Sequence, residues 1–138
     1  MTASRRMVVL EREAGHILIE LGYEPKIISD MFSRSQFVPY NLIAEKKGSD
    51  GTVEGVWVKL KVSLHPIRSP EEAAPFCGNE VKFFEKTFKG VPSDNRIRYE
   101  VWFSVPSNKF ECFEITHDGI RQATHPDRKP LDSDGGPA

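Results

Sequence analysis

At 138 residues, with 19 basic and 20 acidic side chains and a formal charge of −1, the chain fits one ordinary globular domain able to bury a core. The near balance of charge argues against a general polyanion binder, although a local basic patch fits within a neutral total. Cys77 and Cys112 form no CxxC pair, which argues against a structural zinc site and points to a reduced, cytoplasmic protein. No apolar run approaches the roughly 20 residues of a membrane span, and "MTASRRMVVLEREAGH" becomes charged too soon for a secretory signal.

The first predicted element is a helix over Arg5–Leu21. Leu10, Ala14, Ile17, Leu18 and Leu21 recur at helical spacing on one stripe, Gly22 supplies the stop, and Pro25 prevents continuation. Glu11 lies beside that stripe rather than opposite it; a helical glutamate is ordinarily solvated. "KIISDMF" (Lys26–Phe32) reads as a short extended piece, and "FVPYNLIAEKK" (Phe37–Lys47) as a strand with Pro39 near its start or at an edge. "GSDG" (Gly48–Gly51) is turn chemistry, so the next strand closes a hairpin.

That next strand is "VWVKLKVS" (Val56–Ser63). Val56, Val58, Leu60 and Val62 alternate with Trp57, Lys59, Lys61 and Ser63, so the two lysines project together from one face. Adjacent like charges repel unless water or an anion meets them, and an edge strand bathing both lysines in solvent is the plainest account.

"SPEEAAPF" opens a second helix, with Ser69 as N-cap, Pro70 in the first turn, and Glu71 and Glu72 complementing the dipole. Phe76, Val81, Phe83, Phe84 and Phe88 form its expected core side, and Pro75 with Gly78 splits it into two pieces. "RIRYEVWFSV" and "KFECFEIT" alternate around "PSNK" as a hairpin. The order of helix, three strands, helix and two strands predicts an α/β domain with a mixed sheet and its helices on one face or both. The domain is expected to span 1–123. The last stretch, 124–138, is too poor in apolar residues to offset its ordering entropy and is expected to be a disordered tail.

The motifs exclude more than they assign. His16, His65, His117 and His125 have no HxH or HExxH spacing, and no GxGxxG, P-loop or GxSxG is present. What remains is an ordered set: Glu11-x-x-Ala14-x-x-x-Leu18-x-x-x-Gly22-Tyr23, then "YNLIAEKKGSDGTVEGVWVKLKVS". Over roughly Met7–Ser63 this resembles the PD-(D/E)xK nuclease superfamily, whose small bacterial and archaeal members include Holliday-junction resolvases. The resemblance implies a restriction-endonuclease-like αβββαβ core with a central mixed sheet flanked by helices.

It also implies a site. In that family the helix supplies a glutamate, the first hairpin strand an aspartate just before "LIA", and the next strand ExK. The carboxylates hold Mg²⁺ or Mn²⁺, and the metal activates water. Position by position, the helical acid corresponds to Glu11, the aspartate to Asn41, the glutamate of ExK to Lys59, and its lysine to Lys61. Asparagine keeps a carbonyl oxygen but loses the charge, whereas Lys59 is an ammonium where a cation belongs. Two unit charges about 4 Å apart interact by roughly 4 kcal/mol at an effective dielectric near 20, and a divalent ion doubles this. The resemblance is therefore to a member with a degraded site that needs no cofactor.

Three functional readings follow. A non-catalytic nuclease-fold protein would bind DNA or RNA through Lys46, Lys47, Lys59, Lys61 and Arg68, with Trp57 or Tyr40 as stacking surfaces. An interaction module, a homodimer or a subunit of a larger complex, would use an exposed aromatic edge such as "RIRYEVWFSV". An active Mg²⁺- or Mn²⁺-dependent nuclease would need acids relocated from elsewhere, such as Glu13, Glu45 or Glu54. In the non-catalytic readings Glu11 is free to pair with Lys59 or Lys61 in place of the ion, or the two lysines to hold a phosphate.

Overall fold

A computed structural model describes residues 2–28, 37–90, 96–106 and 109–123. The expected tail, residues 29–36 and 91–95, and Ser107 and Asn108 of the "PSNK" turn lie outside the described residues.

The first helix, α1, spans Thr2–Glu20, starting earlier than its apolar spacing requires. Leu10, Ala14, Leu18 and Leu21 are buried along one stripe. The helix ends where Gly22 takes φ 94° and the Tyr23 N–H returns to the Leu18 carbonyl at 2.8 Å, a C-cap that favours glycine because a side chain is strained there. Strand β1 is confined to Glu24–Ile27 and pairs antiparallel with β2, Leu42–Lys47.

Strand β2 begins at Leu42, not at Phe37 as expected. Pro39 has no N–H to give a ladder, and its carbonyl instead accepts the Tyr99 hydroxyl, which holds this segment against the sheet. Ladder contact resumes at Asn41, whose N–H donates to the Val58 carbonyl at 2.7 Å. The turn closes through Gly48 N–H to the Thr52 carbonyl at 2.7 Å, with Gly51 at φ 85°.

Strand β3, Val53–Val62, pairs antiparallel with β2 on one side and parallel with β4, Ile97–Val105, on the other. The lysine-bearing strand is therefore interior, and the edge-strand account of Lys59 and Lys61 is corrected. The same pairing corrects the aromatic-edge idea: β4 lies between β3 and β5 with Tyr99, Trp102 and Phe103 buried. Between β3 and β4 the chain forms α2, Pro70–Ala73, a 3-10 turn at Ala74–Phe76, and α3, Gly78–Thr87. Ser69 caps α2 by accepting the Glu72 N–H at 3.2 Å. Phe84 and Phe88 are buried as expected, but Phe76 is 55% exposed because the 3-10 turn rotates it off the buried side.

Strands β5, Lys109–Thr116, and β6, Gly119–Gln122, complete the sheet. The sequence reading has no β6. Its signal was the Asp118-Gly119 pair, whose glycine takes φ 126° in a tight turn. The sheet runs β1-β2-β3-β4-β5-β6, with β3–β4 its parallel pair.

Helices cover both faces, and β3 alternates between them. Val56, Val58 and Leu60 join Leu10, Ala14, Leu18 and Trp102 in one core. Trp57 packs against the other, built from Ala73, Phe84, Phe88, Tyr99, Val101, Phe103 and Phe113. No described helix is long and apolar enough to cross a membrane.

Candidate functional site

On the α1 side, the helical acid meets the residue before "LIA". Glu11 is 6% exposed, contrary to the usual solvated glutamate, because it sits where α1 crosses the start of β2. Asn41 Nδ2 donates to Glu11 Oε2 at 3.2 Å, and Asn41 Oδ1 accepts the Leu60 N–H at 2.8 Å. The second bond fixes the amide's direction: Leu60 N–H needs an acceptor, so the amide oxygen must face it and the nitrogen must face Glu11. A donor thus occupies the position where a cation-binding aspartate would present oxygen.

On the opposite face, Lys59 and Lys61 project together, as the alternation predicts, toward α3. Lys61 Nζ lies 3.2 Å from Glu80 Oε2; the lysine side chain is 25% exposed and the glutamate side chain 1%. Lys59 Nζ donates to the Val38 carbonyl at 2.6 Å and lies 5.6 Å from the Phe37 ring centroid, within cation–π range. The pairing of Glu11 with these lysines is therefore replaced: Lys61 takes Glu80 and Lys59 takes a backbone carbonyl, because strand alternation points both away from α1. Burial lowers the Lys59 pKa, the nearby Glu80 carboxylate partly offsets this, and repulsion from Lys61 adds to the lowering.

Glu80 is not singled out in the sequence analysis. It belongs to the same stripe as Phe84 and Phe88, at i, i+4 and i+8, and an acid on an apolar stripe was the available signal. Its Oε1 is buried and has no hydrogen-bond partner among the described residues. The carboxylate colours its surroundings. Burial first, and then Glu80, push the Cys77 thiol up to about 11, and the same two causes lead the upward shift of Tyr99.

Beside this charged group is an aromatic surface. Tyr40 and Trp57 stand with ring centroids 4.8 Å apart, and Phe83 lies 5.9 Å from Tyr40 and 6.4 Å from Trp57. All three rings are half-buried, packed on the α3-side core at its rim.

The remaining basic positions do not join this surface. Lys46 lies on the α1 face, its Nζ 5.4 Å from the Tyr23 ring centroid. It pairs in register with Glu54, five residues from Lys59 and hence about 17 Å along β3. Lys47 is exposed at the hairpin end of β2, and Arg68 is exposed ahead of α2, its backbone N–H donating to Glu72 at 2.6 Å. Lys59 and Lys61 are brought together; the other three are not.

A divalent cation does not fit these donors. Glu11 is the one carboxylate among the four matched positions, Asn41 offers it an N–H, and the two lysines carry positive charge. Among the described residues no group of three or more His, Cys, Asp and Glu could hold a metal ion.

Element order and sheet together define an α/β domain with a mixed central sheet between helices, the class of architecture that the sequence resemblance implies. Among solved structures the chain is similar to Hjc, a Holliday junction resolvase from the archaeal hyperthermophile Archaeoglobus fulgidus, at 15% identity, covering 88% of this chain and 89% of that chain with a TM-score of 0.43. No family model and no curated protein matches the chain.

Proposed function

We propose that this is a non-catalytic protein of the nuclease fold that binds nucleic acid through the α3 face of β3. The observation that carries the first half is the Asn41 amide, whose nitrogen meets Glu11 at 3.2 Å while its oxygen is held by Leu60. Metal-dependent phosphodiester cleavage needs anionic oxygens that converge on Mg²⁺ or Mn²⁺. Here the hydrogen bond supplies what the ion would, joining helix to strand without charge on the amide. The second half is supported by Lys59 and Lys61, which give that face two cations beside exposed aromatic area, and by the exposed lysines of α3. DNA or RNA is the partner class, and two buried cysteines not joined in a disulfide suit a cytoplasmic protein.

The test is a titration of labelled duplex and single-stranded DNA in EDTA at low and moderate salt. Binding should weaken steeply with salt, and Lys59→Gln together with Lys61→Gln should reduce the salt slope by about two. A salt-indifferent constant, or metal-dependent cutting by the parent protein, sinks the reading.

A protein-interaction role has one observation of its own. Val8, Val9 and Ile19 are exposed on α1, more apolar area than a solvated helix face needs. Light scattering that gives a monomer at high concentration removes the self-association form of that idea.

A further inference from the structure

The rim of the α3-side core is an unusual place to leave so much aromatic surface. Phe37, Tyr40, Trp57 and Phe83 are each half-buried, yet they form one connected group, Phe37 touching Phe83 at 6.4 Å and Tyr40 lying 4.8 Å from Trp57. An aromatic ring gains by full burial, and Tyr99, Phe84 and Phe88 directly beneath have it. Cations accompany the group. Lys59 lies over Phe37, while Lys82 and Lys86 stand exposed on α3, one residue before and three after Phe83. Glu85 is exposed on their side of the helix, and Lys89 is exposed just beyond its end.

Flat apolar faces bordered by ammonium groups suit a ligand with flat faces and a negatively charged backbone. In a duplex the base faces are used up by their own stack, and a protein meets phosphates and groove edges instead. An unpaired strand presents both parts at once, bases to stack on rings and phosphates to meet lysines. A protein partner would supply apolar side chains but has no reason to bring the regular negative charge that three lysines favour.

We propose that the Tyr40–Trp57–Phe83 surface, with Lys59, Lys82 and Lys86 at its border, is a stacking platform that selects single-stranded over duplex nucleic acid. It rests on the nucleic-acid reading above and specifies what that face takes.

Trp57 makes the proposal directly readable. The chain has two tryptophans, and Trp102 is fully buried in the α1-side core, so a stacked base should quench the emission of Trp57. The full chain is titrated at one low salt concentration with three probes of equal length: an unstructured pyrimidine DNA strand, the RNA of the same sequence, and a blunt DNA duplex. Binding is read by probe anisotropy and by tryptophan emission. The expected result is binding of a single strand about tenfold or more tighter than duplex, with quenching by that strand alone. Trp57→Leu should abolish the quench and weaken single-strand binding about tenfold while leaving duplex binding unchanged. Because that change removes part of the core rim, Phe83→Leu provides a second reading, with Trp57 in place and single-strand affinity lowered severalfold. Either strand chemistry meeting these marks supports the proposal, and the tighter of the two identifies the strand. Duplex bound as tightly as single strands, with no quench, overturns the platform and leaves the nucleic-acid reading standing. No binding of any probe overturns both.

Discussion

The two faces of one sheet handle their buried charges in opposite ways. On the α1 face every polar group at the centre is met: Glu11 by Asn41, Asn41 by Leu60, and Glu100 by Arg98 Nε at 3.2 Å and Trp102 Nε1 at 2.8 Å, one partner for each carboxylate oxygen. On the α3 face Glu80 keeps one buried oxygen without a partner among the described residues, Lys61 reaches solvent, and aromatic rings stay half-covered at the rim. A closed network specifies a fold, because each member has one arrangement that satisfies it. An open one costs stability, and natural proteins tolerate such costs where a surface does something else. This difference is why we read Glu11 and Asn41 on the α1 face as structural and propose the face bearing the lysines as the working one.

The sharpest way to break the comparison is to make the same change on each side. Glu100→Leu leaves the Trp102 N–H without its acceptor and takes from Arg98 its nearest carboxylate, leaving the guanidinium with the Tyr23 hydroxyl and Glu54, and should cost about 3 kcal/mol of unfolding free energy. Glu80→Leu removes a charge that is only half met, and lets a partly exposed Lys61 swing into water. It should leave stability within about 1 kcal/mol of the parent. Urea denaturation of the two variants reads both. Equal losses would mean that the faces do not differ in the way described.

The sequence carried some of this and not the rest. Period-2 alternation in "VWVKLKVS" put Lys59 and Lys61 on one face, and Ser69, Pro75 and Gly78 marked the broken helix at the right places, because these signals depend on local geometry alone. That β3 is interior was not legible: its parallel partner is more than thirty residues away, and nothing in a single strand records which neighbours it takes. The same limit hid the Lys61–Glu80 pair, whose members are joined only by the packing of α3 on the sheet. Glu11 was legible as a position, but its burial and its amide partner needed the fold.

Asn41→Asp probes the α1 face more finely. It would set a carboxylate oxygen about where the amide nitrogen now stands, 3.2 Å from Glu11 Oε2. Two like charges at that range repel by several kcal/mol even at an effective dielectric near 20, and after relaxation a loss of about 3 kcal/mol at neutral pH is expected. The same variant presents two anionic oxygens to a cation, so millimolar Mg²⁺ should return part of the loss while leaving the parent protein unchanged. Thermal melts with and without Mg²⁺ decide it. A variant as stable as the parent, with no response to Mg²⁺, would show that Glu11 and residue 41 are less closely coupled than the hydrogen bond implies.

The smallest effect belongs to the α3 face and appears only at high pH. Burial, reinforced by the carboxylate of Glu80, raises the Cys77 thiol from 9.0 to about 11. The folded protein therefore keeps a proton that the unfolded chain releases, and the stability linked to it is fully present below 9.0 and lost as pH rises through about 11. Within that window the slope from one proton cannot exceed about 1.4 kcal/mol per pH unit, and Tyr99, also raised, contributes in the same sense at higher pH. Lys59 acts in the opposite sense. Its lowered pKa makes the unfolded chain the stronger proton binder below 10.5, so its contribution to stability grows as pH rises toward that value. Cys77→Ala should flatten the fall between pH 9 and 11 at the expense of a lower baseline from the lost sulfur. Lys59→Met should instead make the fall steeper, since it removes an opposing group. If both variants keep the parent's pH profile, the two side chains do not feel the buried environment that sets this face apart.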